Sequence, residues 1–359
     1  MVNSYIFAVL MQFEILVVLS KPQVPCYFIF GDSLVDSGNN NELVTKAKAN
    51  YLPYGVDFPE GVTGRFTNGR TMADMIGELL GFDEFIPTYA SVTDQQISKG
   101  VNYASGGAGI LPETSSYLGD RIALERQLSN HNGIVSRLFG LQENTTFTNE
   151  HLSKCLYVFN IGSNDYLNNY LLPKFYNTSH IYTPHQYASF LVRQYCQQLK
   201  KLYNLGGRKI VLFGLAPIGC TPIVIHIVGT NGKPCVESIN DIVKKFNDKL
   251  RLLVDELNRD IQDANFTFIN VSHISSVQKG KLAIRCSSIM PWRNVPCCEV
   301  TENGQCAHTT TTCRMRMLSI YFDGVHPSEM AHNVIATSSY IALSEMNASP
   351  YDISHLIRL

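Results

Sequence analysis

The chain has 359 residues, 45% of them apolar and 16% charged; the charged share lies well below the roughly 25% of an average globular protein, which excludes a highly charged disordered polymer. Its 29 Lys and Arg nearly cancel 30 Asp and Glu, and no long basic run is present, so no nucleic-acid partner is expected. After residue 20 no uninterrupted apolar stretch reaches about 18 residues, so no transmembrane anchor is expected either.

In chain order, residues 5–19 (YIFAVLMQFEILVVL) have the length of a signal h-region, with Val18 and Ser20 as small residues at a cleavage site. Residues 1–20 are therefore read as a signal peptide, and the protein as secreted. Glu14 inside the apolar run, and the lack of a preceding basic residue, leave a buried strand or a truncated start as the other reading.

Short apolar runs then alternate with longer helical patterns, the rhythm of a parallel sheet built from βαβ crossovers. Strands are predicted at 26–31, 99–104, 155–161, 208–214 and 266–271. Helices are predicted at 70–80, 120–139, 184–204 and 238–263, where apolar residues recur at three- and four-residue intervals, as in Ile242, Phe246, Leu250, Leu253 and Leu257. A last helix, 328–346, takes Ser328 as its N-cap after Pro327. With no repeat and no low-complexity linker, residues 21–359 read as one three-layer α/β/α domain. Its chemistry should lie where loops leave the carboxyl ends of the strands.

The polar residues at those places are specific. After the first strand comes Gly31-Asp32-Ser33-Leu34-Val35-Asp36-Ser37-Gly38-Asn39; a Ser at a strand-to-helix turn can hold its Oγ at the sheet edge as a nucleophile. The same residues are ordinary turn formers, and Asp32 with Asp36 could ligate a divalent cation, although no further acidic cluster accompanies them. No G-x-S-x-G elbow exists, against a standard α/β-hydrolase. The loop Ala104-Ser105-Gly106-Gly107-Ala108-Gly109 lets a backbone N–H approach a ligand closely, but lacks the Lys-Ser/Thr of a phosphate-binding loop. In Gly162-Ser163-Asn164-Asp165, Asn164 can direct its amide at an oxyanion or make an Asx-turn. In Asp323-Gly324-Val325-His326-Pro327 a tight turn can let the carboxylate fix the imidazole tautomer. Each motif alone reads as a structural turn. Together, at the ends of different strands, they supply a nucleophile, oxyanion donors and an acid-oriented base, the parts of an acyl-transfer site.

Of the 10 cysteines, Cys286, Cys297, Cys298, Cys306 and Cys313 crowd one segment without a C-x-x-C pair, which favours disulfides and an oxidising compartment over zinc. Cys220 and Cys235 bracket an excursion that a disulfide could close locally; the pairing as a whole stays open. Sequons at Asn144, Asn177, Asn265, Asn270 and Asn347 are about as frequent as chance gives, so they argue only weakly for a glycoprotein.

The stretches FIFGDSLVDSGNNN (28–41), YLPYGVDFP and GRFTNGRTMADMI (51–76), GVNYASGGAGIL (100–111), FNIGSNDYLNNY (159–170), GLAPIGCTP (214–222) and YFDGVHPSE (321–329) follow one another in order. In these the sequence resembles the GDSL esterase/lipase family of the SGNH hydrolase superfamily, most of all its plant secreted branch. The resemblance implies a five-stranded, mainly parallel, flavodoxin-like sheet and hydrolysis of carboxylic esters through an acyl-serine. It implies Ser33 as nucleophile, His326 as general base and Asp323 as its orienting acid. The N–H groups of Ser33 and Gly107 and the side chain of Asn164 would form the oxyanion hole, with Gly106 and Gly109 as alternatives to Gly107. It further implies no metal and no organic cofactor. Expected substrates are small-molecule or lipid esters, with an acylated polysaccharide as a variant; the rival expectation is a secreted glycoprotein that uses the scaffold to bind a partner or glycan. Two departures from the family pattern are Glu14 in the leader and Tyr321-Phe322 where many relatives have Phe-Trp, a difference expected to touch packing beside the acid.

Overall fold

Runs of Val, Ile, Leu and aromatic residues, too short for a helix and buried on both sides, become strands. In the computed structural model, which describes residues 21–142, 145–276 and 294–359, these are β1 (Tyr27–Gly31), β2 (Leu156–Asn160), β3 (Lys209–Phe213) and β4 (Asn265–Ile269). They pair in parallel in the order β1-β2-β3-β4, with Phe30 opposite Phe159 and Phe213 opposite Ile269. A short β5 (Ala348–Ser349) adds antiparallel to β4. The proposed leader, Asn144 and Cys286 lie outside the described residues.

The predicted strand at 99–104 is not a regular strand. Residue Asn102 makes single parallel bridges to Ile29 and to Thr88, while Ile29 N–H bonds Val101 O and Tyr103 N–H bonds Ile29 O. The segment therefore lies along the free edge of β1, which is where the second strand of a flavodoxin-like sheet belongs. At its start the backbone of Gly100 comes so close to β1 that a Cβ would lie 2.0 Å from Tyr27 O.

Among the helices of the described residues, the outer layers are built chiefly from α1 (Met72–Leu79), α2 (Leu124–Gln142), α3 (Pro184–Asn204), α4 (Glu237–Asp260) and α5 (Glu329–Tyr340). Alternation along the strands assigns their faces. Phe28, Phe30, Tyr157, Phe159, Leu212 and Phe266 pack with α2, α3 and α4, whereas Tyr27, Ile29, Leu156, Val158 and Val211 pack with α1 and α5. Each such fully buried side chain contributes about 1.5–3 kcal/mol of hydrophobic free energy. The expected three-layer sandwich is thus present.

Two local expectations need correction. The last helix starts at the expected cap, Ser328, but ends at Tyr340, because Ile341 is extended (φ -125°, ψ 107°) and the chain returns to deliver β5 to β4. No helix follows the Ser33 turn; the first described helix begins only at Met72. The intervening stretch is held by side-chain amides instead. Asn39 Nδ2 donates to the carbonyls of Asn102 and Ala104, and Asn40 Nδ2 to those of Ala47 and Gly106. It closes on α1 through a capping box between Thr71 and Asp74 and a buried two-pronged ion pair between Arg65 and Asp74 (2.8 and 2.7 Å).

The cysteines pair as Cys26–Cys155, Cys220–Cys235, Cys297–Cys313 and Cys298–Cys306. The first ties the starts of β1 and β2, and the second closes the local loop that its spacing suggested. Among the described residues no helix is long and apolar enough to cross a membrane.

Candidate active site

β1 delivers the turn that carries Ser33 through Gly31, where any Cβ would lie 2.4 Å from Asn160 O and 2.5 Å from Val35 Cγ2. Gln127 of α2 clamps the same residue, accepting its N–H (2.9 Å) and donating to its carbonyl (2.8 Å). The chain then coils once, with the N–H groups of Val35 and Asp36 both bonded to Asp32 O, and this raises Ser33 to the rim of the sheet.

On the rim, Ser33 Oγ lies 2.8 Å from His326 Nε2, and His326 Nδ1 lies 2.7 Å from Asp323 Oδ2. The first of these contacts joins residues 293 positions apart. A carboxylate only accepts hydrogen bonds, so the imidazole proton sits on Nδ1 and Nε2 is free to accept from the serine hydroxyl. All three side chains are buried, Ser33 and His326 at 9% and 6% exposure and Asp323 at 0%, which strengthens their mutual electrostatics. The turn that brings acid and base together is fixed by Asp323 Oδ1, which accepts the N–H groups of Val325 (2.7 Å) and His326 (2.6 Å).

Asn164 follows β2 on a short helical turn (Ser163–Asp165) entered through Gly162 at φ 121°, a conformation that L side chains rarely adopt. Its Nδ2 donates to Ala108 O (3.0 Å), which leaves a second N–H available. Its Oδ1 accepts from Asn168 Nδ2 (2.6 Å), so the orientation of the amide is settled. Ser33, Asn164 and His326 line one open cavity of about 130 Å³, walled by Val271, Ile274, Ile320, Val325, Met330 and Val334 among others.

The glycine loop resolves in part. Gly106 N–H donates to Asp36 Oδ2 (2.9 Å), which occupies one of the alternative donors. Gly107 has φ 79°, and among the described residues neither its N–H nor that of Ser33 finds an acceptor. Gly107 does not itself line the cavity. Gly109 is packed so closely that a Cβ would meet Thr114 at 2.6 Å.

Three buried carboxyls brace these loops without any local signal of the role. Asp36 spends Oδ1 on the N–H groups of Gly38 and Asn39 and Oδ2 on Gly106, so it is a loop tie rather than a cation ligand. Asp165 accepts from the N–H groups of Ile110 and Leu111 and the hydroxyl of Thr114. Burial pushes both carboxyls up to about 6 against these bonds. Asp32, beside Ser33, accepts the Leu34 N–H through Oδ1 while Oδ2 has no partner among the described residues; burial pushes it up to about 7. The spacing of Asp36 within the Gly31–Asn39 motif was visible in the sequence. What it would bind was not. Phe322, at the departure noted beside the acid, is fully buried against Tyr54.

The model of the GDSL-like lipase/acylhydrolase family matches residues 27–338. Similar curated proteins of Arabidopsis thaliana include GDSL esterase/lipase At1g29670, 44% identical over 97% of this chain and 95% of its own length. GDSL esterase/lipase At1g29660 is 44% identical over 95% and 94% respectively, and GDSL esterase/lipase At4g18970 is 43% identical over 96% and 95%. With a family model across most of its length and relatives at this identity, the chain belongs to the GDSL-like lipase/acylhydrolase family.

Proposed function

We propose that this protein is a serine hydrolase that cleaves carboxylic esters through an acyl-serine intermediate. The observation that carries the reading is the unbroken relay Ser33–His326–Asp323, at 2.8 and 2.7 Å, opening into a cavity. His326 Nε2 takes the Ser33 proton as Oγ attacks the ester carbonyl, and the imidazolium is stabilised by Asp323. The free N–H of Asn164, with the N–H groups of Ser33 and Gly107, receives the charge that develops on the carbonyl oxygen. His326 then protonates the leaving alcohol, and water repeats the sequence to release the acid.

The apolar wall formed by Val271, Ile274, Ile320, Met330 and Val334 suits the hydrocarbon part of a small-molecule or lipid ester. The four disulfides among the described residues are of the kind that forms in an oxidising compartment, which supports reading residues 21–359 as one exported hydrolase domain and residues 1–20 as its leader. Hydrolysis of p-nitrophenyl acetate tests the reading: Ser33→Ala should abolish it while the protein keeps its fold by circular dichroism. A folded Ser33→Ala protein that retains the parental rate rejects the reading.

A further inference from the structure

The buried acid of the relay carries more bonds than the relay needs. Asp323 Oδ2 accepts not only from His326 Nδ1 but also from the hydroxyl of Tyr54, at 2.6 Å, across 269 positions of sequence. With the two backbone bonds to Oδ1, all four acceptor sites of the carboxylate are used. Tyr54 and Asp323 are both fully buried. Burial, with the Asp323 charge beside it, raises the Tyr54 phenol well above its ordinary range, so it remains a donor.

The hydroxyl is itself aimed. Its lone pair accepts the N–H of Cys306 (2.9 Å), and the Tyr51 hydroxyl donates to the carbonyl of that same residue (2.8 Å). Cys306 is tied to Cys298, whose N–H, like that of Cys297, bonds Phe322 O immediately before the acid. The Tyr54 ring is held edge-on by Tyr51, Phe322 and Phe66 (centroids at 5.3, 5.8 and 6.1 Å), and Phe66 lies 5.0 Å from the imidazole of His326.

On the acyl-serine reading above, we propose that Tyr54 is a positioning residue of the reaction, and that the Cys298–Cys306 loop orients it. Its hydroxyl fixes the Asp323 carboxylate toward Nδ1 and draws off part of its charge, so that the acid orients the imidazole without holding its proton too tightly. The stretch YLPYGVDFP thereby acquires a role that no local pattern of nucleophile, base or oxyanion donor suggests.

Tyr54→Phe keeps the ring and deletes the bond. The titratable groups facing His326 are Asp323, Asp32 and His332, with Tyr54 and Tyr51 facing Asp323 from behind; only Tyr54 is altered. Losing a hydrogen bond to a charged group predicts a kcat lower by about 10- to 100-fold with KM nearly unchanged. The acid limb of kcat/KM should move to higher pH by roughly half a unit to one unit, because the undiluted carboxylate now favours the imidazolium. An unchanged kcat and an unmoved acid limb in folded Tyr54→Phe overturn the proposal. If that variant does not fold, 3,5-difluorotyrosine at position 54, a stronger donor of the same shape, should move the limb to lower pH; an unmoved limb there overturns the proposal equally. Absence of ester hydrolysis in the parent protein would instead reject the acyl-serine reading, so the two failures are distinct.

Discussion

Asp36 Oδ2 accepts the backbone N–H of Gly106 at 2.9 Å, so a buried carboxylate of the turn that presents Ser33 ties it to the glycine loop, beside the amide bonds from Asn39 to Ala104 O and from Asn40 to Gly106 O. The other oxygen of Asp36 holds the N–H groups of Gly38 and Asn39, each at 2.8 Å. An amide offers only one acceptor oxygen in place of two, so Asp36→Asn must release one side of this tie. Losing a buried hydrogen bond of this kind costs about 1–3 kcal/mol, and where it loosens the loop the turnover of p-nitrophenyl acetate should fall about 10-fold or more. Parental kcat in Asp36→Asn would remove the glycine loop from the account.

Asn164 offers a free N–H to the cavity while its other contacts hold the amide still. Removing one oxyanion donor slows acyl transfer by roughly 10²- to 10³-fold, and Asn164→Ala should do so chiefly in kcat. Asn168→Ala should have a smaller effect of the same kind, because it frees the amide to rotate without deleting it. Steady-state kinetics on both variants checks the order; equal, near-parental rates would contradict it.

How much of this could be read from the chain follows from which interactions are local. Ser33, Asn164 and His326 each sit at a strand end or beside a tight turn, and short motifs mark such places whatever the rest of the chain does. The helix read from apolar periodicity at 184–204 matches the one found, Pro184–Asn204, whose N-terminus also carries a local capping signal in Thr183, Pro184 and Gln186. Tyr54, Gln127 and Asp165 were not legible as site residues, since their partners lie 269, 96 and 51 to 55 positions away. The edge segment at 101–103 has strand-like composition but makes only single bridges, and β5 is two residues long. Neither property is set by side-chain periodicity.

Arg65 and Asp74 form a buried ion pair whose guanidinium also stacks 4.2 Å above the Phe58 ring. Breaking such a pair from one side strands the other charge, at about 3–5 kcal/mol. Arg65→Met should therefore lower the denaturation midpoint strongly, and adding Asp74→Leu should recover part of the loss. Chemical denaturation of the single and double variants measures this; additive losses would contradict a coupled pair.

His131 is fully buried among Phe28, Phe30 and Tyr157, and burial lowers its pKa from 6.5 to about 3. The unfolded chain thus binds a proton that the folded chain refuses between those values, and stability from this residue is lost as pH falls through that window. Asp32, Asp36 and Asp165 work in the opposite direction, binding protons in the folded state first. In His131→Phe the dependence of unfolding free energy on pH should lose up to roughly 1.4 kcal/mol per unit in the acid window. Urea titrations at several pH values would show it, and identical pH dependence in the two proteins would contradict it.

The most direct measurement is the site of covalent capture by a fluorophosphonate, read by peptide mass spectrometry. The relay predicts a single adduct on the peptide that contains Ser33, formed far more slowly once His326 is replaced by Ala. Label on a different serine, or the same labelling rate without the imidazole, would contradict the assignment of Ser33 as the nucleophile.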